Sequence, residues 1–289
     1  MKIFIPTYAK YDGVKTLGLK QLKNLNVILL VHNNSEYKKY IKNYPEATIY
    51  VTEAKVGVAG KQNQIKNALE KFVKQDEWCL FLDDDISKMY GWSGGFEKQE
   101  VVDYTQDPQL KMKIWFTEIL QARFLESVTE SIMEAENIGA KLCGYAVTEN
   151  PMFNCNKWSY RGFVHGKAMI WKRDSDFVFD ENILDMDDYS WSLEHLYKYK
   201  KVIINRSVAF KNDYFGKGGH NDNNYDRDEA RIIDSKYLIK RFPQYVKNKP
   251  IKNKPKYFDI KFATWGDARF EEWLFKLYNY RESFKSQRL

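Results

Sequence analysis

The chain has 289 residues, which suits one large α/β domain or two closely associated halves. Its formal net charge of +7 favours polyanionic partners, and its hydrophobic content of 44% is ordinary for a water-soluble globular protein. The longest aliphatic run, residues 27–31, is far too short to cross a bilayer, and the first ten residues have no long apolar core. We therefore expect no membrane span and no secretory signal. Three widely spaced cysteines make no zinc pattern and fit a reducing compartment, so a cytoplasmic location is expected.

The first half of the chain alternates predicted strands with predicted helices. Strands are predicted at residues 2–6, 26–32, 48–52 and 79–82, and helices at residues 14–23, 35–43 and 60–74. Such alternation is typical of βαβ units around a mainly parallel sheet, so the pattern predicts the α/β fold class.

The second half begins with a turn-rich segment, residues 90–108, which we expect to form a mobile excursion. Helices are then predicted at residues 114–137, 188–199 and 227–242, and strands at residues 142–147, 166–171 and 202–208. Gly139 is a candidate C-cap for the first of these helices. A Lys/Pro-rich stretch at residues 247–256 leads to a final amphipathic helix that carries Phe270, Trp273, Leu274 and Leu277.

Three consecutive carboxylates, Asp83, Asp84 and Asp85, directly follow the apolar strand at residues 79–82. A strand that ends in this way places the cluster at the carboxyl edge of the sheet, where open α/β sheets bind their ligands. Because like charges repel, we expect a divalent cation that bridges to a phosphate, and Mg²⁺ or Mn²⁺ favours such oxygen ligands. The alternative is an exposed acidic turn.

The segment at residues 56–63 opens the helix that precedes the acidic strand, and it reads Val-Gly-Val-Ala-Gly-Lys-Gln-Asn. Glycines allow a backbone to approach a ligand closely, and a helix amino terminus attracts phosphate. Lys61 would add a charge contact. The spacing is not that of a P-loop, and a simple βα turn is the alternative.

Three further polar segments are candidates for chemistry. Asp185, Asp187 and Asp188 enter a predicted helix, where one aspartate can cap the helix and another can act as general base. His165 lies in a Gly-flanked turn, where it either binds substrate or is an ordinary hydrogen-bonded histidine. His220 lies in a glycine-rich loop and could contribute to a metal site whose other ligands come from the acidic strand end.

In this order, the segments resemble glycosyltransferases of the GT-A fold, a Rossmann-like α/β/α sandwich that binds a nucleotide-sugar with a divalent metal. Residues 3–8 resemble the opening strand of that family, Asp83 to Asp85 match its DXD motif, and residues 185–188 match its late acidic motif. The chain is most similar to the TET-associated glycosyltransferases, which add sugars to hydroxymethylated pyrimidines in DNA of phages and related elements. Members often have Arg where this chain has Lys61 and Gln62.

The resemblance implies one catalytic domain, with a donor-binding half at residues 1–110 and an acceptor half at residues 111–289. It implies that the donor, a nucleoside-diphosphate sugar and most simply a UDP-sugar, contacts a set drawn from the first half: Pro6, Thr7, Tyr8, Gly60, Lys61, Asn63, Asp83 and Asp84. The implied metal, Mn²⁺ or Mg²⁺, would be held by Asp85, Asp83 and His220.

The same resemblance implies that Asp188, with Asp187 as the alternative, deprotonates the acceptor hydroxyl in an inverting displacement. For a DNA acceptor the modified base would leave the stack and be received by side chains for which Trp92, Trp158, Tyr160 and His165 are candidates. A chain encoded by a phage would then act in the host cytoplasm. Three rivals stay open: transfer to a glycan, lipid or protein; nucleotidyl transfer; and a non-catalytic basic DNA-binding protein.

Overall fold

A mixed β-sheet of ten strands runs through the part of the chain that the structure, a computed structural model, describes. The described residues are 1–53, 58–92, 116–150, 154, 158–212, 227–250 and 258–262. The sheet strands are β1 (Lys2–Pro6), β2 (Val27–Val31), β3 (Thr48–Val51), β4 (Trp78–Leu82), β5 (Ile86–Trp92), β6 (Phe116–Glu118), β7 (Leu142–Ala146), β8 (Trp158–Ser159), β9 (Ala168–Lys172) and β10 (Ile203–Asn212). A separate antiparallel pair consists of β11 (Val246–Pro250) and β12 (Phe258–Phe262).

The strand order is β3-β2-β1-β4-β9-β7-β10-β5-β6, with β8 also paired to β10. Strands β1 to β4, β6, β7 and β10 point in one direction, whereas β5, β8 and β9 run opposite to them. The order β3-β2-β1-β4 is that of one half of a Rossmann-like sheet. The predicted α/β class with a mainly parallel sheet of this type is therefore confirmed.

The helices are α1 (Asn34–Asn43), α2 (Val58–Phe72), α3 (Gln121–Ile138), α4 (Asp187–Tyr199) and α5 (Arg227–Arg241). Side chains of α1 and α3 pack in one apolar cluster with the sheet, and those of α2 and α4 pack in another. Strand side chains alternate between the two clusters, as Ile3 and Ile5 lie in the first and Phe4 lies in the second. The arrangement is the expected α/β/α sandwich.

Helix α1 shows how local sequence chemistry fixes a boundary in this fold. Its N-cap residue Asn33 is extended, and the Asn33 side chain accepts a hydrogen bond from the backbone N–H of Glu36 at 3.0 Å. A glycine fixes the carboxyl end of helix α3 in the same local way. Gly139 ends α3 with a φ of +74°, so the predicted C-cap is confirmed.

Several predicted elements differ from the structure. Residues 14–23 form two short 3₁₀ turns, Lys15–Gly18 and Lys20–Leu22, because the segment is held from outside: Thr16 N–H donates to the carbonyl of Asp84 at 3.3 Å. Helix α3 begins at Gln121, after strand β6 has paired with β5. Strand β5 occupies a segment whose second half was predicted as turn, and β11 extends into the Lys/Pro-rich stretch at residues 247–256, where no strand was predicted.

Two other predictions fall outside the described residues, namely the final amphipathic helix and most of the turn-rich excursion at residues 90–108. Within the described ranges, none of the helices combines the length and the apolar character that a membrane span requires.

Candidate active site

The carboxyl ends of β1 and β4 lie side by side, and this is the point where the strand order reverses. In open α/β sheets such a switch point leaves a crevice that binds ligands. Strand β2 flanks β1 on its other side, so residues 7–10, 32–36 and 83–85 all follow strands that end at this edge. The predicted location of the acidic cluster at the carboxyl edge is confirmed.

Asp84 is the inward-facing member of the cluster and is held by two neighbours. Its Oδ2 accepts the hydroxyl of Thr7 at 2.7 Å, and its Oδ1 accepts the ammonium group of Lys10 at 2.6 Å. The side chain is buried, and Tyr40 OH lies 2.9 Å from the same threonine hydroxyl. These bonds give Asp84 a bracing role between β4 and the loop after β1, and they use both of its oxygens.

Asp83 lies beside Lys61 of helix α2, whose ammonium nitrogen is 2.7 Å from Asp83 Oδ1. Burial alone would lower the pKa of Lys61, but the carboxylates of Asp83 and of two aspartates on α4 outweigh it and raise that pKa above its usual value. Lys61 and Lys10 therefore supply part of the positive charge that the acidic cluster needs. The sequence had suggested a divalent cation and a charge contact from Lys61, and it had not indicated Lys10.

Asp85 faces the end of strand β10, where Asn212 Nδ2 donates to its Oδ1 at 2.6 Å. Burial, reinforced by the charge of Asp83, raises the pKa of Asp85 to about 6. The Asn212 carboxamide oxygen is buried and has no hydrogen-bond partner among the described residues. The Asp85 carboxylate and the neighbouring amide oxygen are oxygen donors of the kind that suits a hard cation.

A metal fits this edge with few protein ligands. No group of three or more His, Cys, Asp or Glu side chains that could hold an ion occurs within the described residues. Mg²⁺, however, is commonly bound by one or two carboxylates together with water and substrate phosphate. Asp85 and Asp83 satisfy that requirement, whereas the predicted third ligand, His220, lies outside the described residues.

Helix α4 brings Asp187 and Asp188 to the same place. Asp187 is buried, and its Oδ1 accepts the N–H of Asp188 at 3.0 Å. Burial raises the pKa of Asp187 to about 7, with Lys61 opposing and Asp188 reinforcing the shift. The N-cap position belongs to Met186, and its side chain makes no capping hydrogen bond, so the prediction that one of these aspartates caps the helix was wrong.

Asp188 joins helix α4 to the turn that precedes β9. Its Oδ1 accepts the N–H of Tyr189 at 3.0 Å, and its Oδ2 accepts that of Gly166 at 3.1 Å. A Cβ atom at Gly166 would lie 3.4 Å from both Asp188 Oδ2 and the Lys61 nitrogen. The acidic strand end, the start of α2 and the start of α4, which are far apart in sequence, therefore meet around Lys61.

His165 lies at the edge of this group. Its Nδ1 accepts the N–H of Lys167 at 3.2 Å and lies 4.0 Å from Asp188 Oδ2. Burial lowers the pKa of His165, against the opposing charge of Asp188, so the ring is neutral at pH 7. Because Nδ1 acts as acceptor, the proton of the neutral ring resides on Nε2.

The other three candidate acceptor residues do not lie at this edge. Strand β5 leads away from Asp85, so its last residue, Trp92, lies roughly 20 Å from Asp85 along the strand. There the Trp92 ring packs on that of Phe116, with ring centroids 5.6 Å apart. Trp158 pairs with Asn205 in the amino-terminal half of β10. Tyr160 donates its hydroxyl to Glu134 of α3 at 2.6 Å. Their assignment to the acceptor site has no support from these positions.

The ends of β1 and β2 form a second part of the site, which sequence reasoning found in part. The ring of Tyr8 lies 4.9 Å from that of His32. Glu36 is buried and accepts the N–H groups of Ala9 and His32, each at 3.2 Å, so it ties the two strand ends together. Ala9 has a φ of +53°, an unusual backbone conformation for a residue with a Cβ.

The remaining predicted donor residues lie close to this edge without a described contact to the acidic cluster. Pro6 is the last residue of β1 and pairs with Leu30. Gly60 is buried in the first turn of α2, and Asn63 is half-buried one turn later. Residues missed by sequence reasoning include Lys10 in the loop after β1, Glu36 in the first turn of α1 and Asn212 at the end of β10; their signal was nearness to a strand end.

A sequence profile of the TET-associated glycosyltransferases matches residues 1–204. The chain belongs to this family. Membership in the TET-associated glycosyltransferases confirms that the chain is a transferase, and it sets aside nucleotidyl transfer and a purely DNA-binding role. The matched range contains Lys61, the acidic strand end and the start of α4, whereas Asn212 and helix α5 lie beyond it.

Among solved structures, the chain is similar to glucosyl-3-phosphoglycerate synthase from Mycobacterium tuberculosis, which was crystallised with Mg²⁺ and uridine diphosphate. The two share 8% sequence identity and a TM-score of 0.40, over 91% of this chain and 86% of that one. No curated protein sequence was found to match.

Proposed function

We propose that this TET-associated glycosyltransferase moves a sugar from a UDP-sugar to the hydroxyl of a 5-hydroxymethylpyrimidine in phage DNA, with inversion at the sugar carbon. The observation that carries the proposal is the convergence on Lys61 of Asp83 from β4 and of Asp187 and Asp188 from α4. It supports a site in which donor-binding groups and a base lie side by side at the edge of the sheet where α/β folds bind ligands.

The donor would occupy the crevice at the ends of β1, β2 and β4, within the half at residues 1–110. Tyr8, whose ring lies 4.9 Å from that of His32, would offer an aromatic face to the nucleotide base. The first turn of α2, which contains Gly60 and is followed by Asn63, would offer its backbone N–H groups and its helix dipole to the diphosphate. Thr7 would line the crevice while bracing Asp84.

Asp85 and Asp83 would hold the divalent metal, Mg²⁺ or Mn²⁺, and Asn212 would orient Asp85 through its hydrogen bond. When bound, the ion supplies positive charge that stabilises the diphosphate leaving group. Lys61 remains tied to Asp83, so its charge contributes to the same region without depending on the ion.

The transfer step requires one base. The acceptor hydroxyl oxygen forms a bond to the anomeric carbon while its proton passes to a carboxylate of α4. The bond from that carbon to the diphosphate oxygen breaks, and its electron pair leaves with UDP. We assign the base to Asp188, which is more exposed than Asp187 and lies next to His165. His165, neutral and with a proton on Nε2, would donate a hydrogen bond to the acceptor.

A DNA acceptor fits the net charge of +7, because Lys and Arg contacts to phosphate dominate the affinity for nucleic acid. The modified base would leave the stack to reach the carboxyl edge of the sheet. The enzyme would then act where phage DNA is replicated, in the host cytoplasm.

Two assays test the proposal. Thermal unfolding against a panel of nucleoside diphosphates, with Mn²⁺ or with EDTA, should show the largest stabilisation with UDP and metal together. Release of UDP should then require hydroxymethylated DNA, and unmodified DNA of the same sequence is the matched control. Release that instead requires an oligosaccharide, lipid or protein acceptor would contradict the DNA assignment.

A further inference from the structure

Helix α4 carries both candidate bases, yet it does not cap its own amino terminus. The N-cap position is Met186, whose side chain makes no capping hydrogen bond; within the first turn, Asp187 Oδ1 and Asp188 Oδ1 each accept the N–H of the next residue. The first N–H groups of a helix have no partner within the helix, and leaving them unsatisfied in a buried place is costly. For Met186 and the two residues before it, the partner comes from another helix.

Asp234 of helix α5 supplies it. Its side chain is fully buried, and its two oxygens accept the N–H of Leu184 at 3.0 Å each. Oδ2 also accepts the N–H groups of Asp185 at 2.7 Å and of Met186 at 2.9 Å. One carboxylate thus receives three consecutive backbone donors immediately before Asp187. Such charge-assisted bonds are short and strong, and an anion at a helix amino terminus is also favoured by the helix dipole.

Other contacts hold the same segment from both sides. On α5, Tyr237 donates its hydroxyl to Asp180 Oδ2 at 2.8 Å. On α2, Gln62 donates to the carbonyl of Asp180 at 3.1 Å and accepts the indole N–H of Trp191 at 3.1 Å. Gln62 is the neighbour of Lys61, so the start of α4 is fixed relative to the ammonium group around which the carboxylates gather.

We propose that Asp234 is a positioning residue for the transfer reaction: it sets the backbone at residues 184–186 and thereby the direction of the Asp187 and Asp188 side chains. Helix α5 lies beyond residues 1–204, which are those matched by the family profile. The catalytic apparatus therefore extends into the part of the chain that the profile does not cover. This inference rests on the proposed function, in which α4 provides the base.

The test is the separation of kcat from donor affinity in Asp234→Asn. The amide keeps the size of the side chain, but its NH₂ group would face a backbone N–H. We expect kcat to fall about ten-fold or more, because small misplacements of a reacting group are expensive, while the Kd for UDP changes by less than about two-fold. Val128→Ala, a buried change in α3, is the control for lost stability. It should lower the melting temperature and leave kcat, measured well below that temperature, unchanged.

Hydrogen exchange of the wild-type protein provides a second readout, which does not depend on the folding of a variant. The amides of residues 184–186 should exchange as slowly as those inside α4. Fast exchange of these amides, or a normal kcat in folded Asp234→Asn, would overturn the inference. If Asp234→Asn keeps its kcat while Asp187→Asn or Asp188→Asn is inert, positioning fails and the base assignment stands. If Asp187→Asn and Asp188→Asn are both fully active, the proposed function itself fails.

Discussion

The ammonium nitrogen of Lys61 lies 2.7 Å from Oδ1 of Asp83, so the helix that opens after β3 is joined to the acidic end of β4 by an ion pair. Both side chains are largely buried. Two aspartates of α4 act on the same ammonium group. The Lys61 ammonium group therefore interacts with carboxylates from two distant parts of the chain, and its removal should affect both the acidic strand end and the start of α4.

Lys61→Met should destabilise the protein and abolish transfer. Removing one partner of a buried ion pair leaves its carboxylates uncompensated, at a cost of about 3 kcal/mol in the free energy of unfolding. Urea denaturation monitors the loss, and Lys71→Met, an exposed change on the same helix, is the control. A Lys61→Met protein with unchanged stability and turnover would show that the pair has no energetic role.

Asp187 should make stability depend on pH. Its folded-state pKa, about 7, lies above that of an unfolded aspartate, so the folded state binds the proton more tightly. The resulting stabilisation is present below pH 4 and is lost as the pH rises through 7. In EDTA at pH 8, Asp187→Asn should therefore be more stable than the wild type, by roughly 2–4 kcal/mol.

The measurement is the free energy of unfolding at several pH values between 4 and 8, for both proteins. The raised pKa of Asp85, about 6, acts in the same direction in both, so the difference between the two curves isolates Asp187. Parallel curves would mean that Asp187 does not titrate in this range in the folded protein.

Asp188→Asn should lower turnover by about 100-fold or more and leave donor binding intact, because general-base catalysis contributes on that scale. Initial rates and calorimetric titration with UDP provide the two readouts. Asp176→Asn, an exposed change, is the matched control. A variant that retains full rate would remove Asp188 from the mechanism, and Asp187 would become the remaining candidate on α4.

Asp85→Ala should weaken metal-dependent binding of UDP without destabilising the protein in EDTA, because it relieves repulsion from Asp83. Asn212→Ala should leave the fold intact and weaken Mn²⁺ binding to a smaller extent, since Asn212 orients Asp85. Titration with Mn²⁺, followed by its paramagnetic signal, measures both effects. Equal affinity in the wild type and in Asp85→Ala would place the metal elsewhere.

The sequence was sufficient to predict elements with strong periodicity or a clear boundary signal. Lys2–Pro6 was predicted with its observed limits, and Gly139 ended α3 as expected. It was also sufficient to place Asp83 to Asp85 at a strand end. The segment at residues 14–23 was predicted incorrectly, because its conformation depends on Thr16 bonding to the acidic strand end, a contact between distant residues.

Long-range partners account for the rest of what was missed. Nothing near Asp85 in the sequence indicates Asn212, which lies at the end of a strand that runs next to β5. Similarly, the pattern at residues 185–188 indicated that an aspartate of the segment caps the helix, whereas the N-cap makes no side-chain bond and Asp234 accepts the N–H groups of residues 184–186. Trp92, Trp158 and Tyr160 were selected for their chemistry alone, and sheet topology places them away from the acidic edge.

The most direct test of the account is the mass of the nucleosides recovered from hydroxymethylated DNA after incubation with the enzyme, Mn²⁺ and a UDP-sugar. The account predicts a hydroxymethylpyrimidine nucleoside heavier by one sugar residue with the wild type, and little or none with Asp188→Asn. Unmodified nucleosides after incubation with a donor that the enzyme demonstrably binds, together with sugar transfer to another class of acceptor, would contradict it.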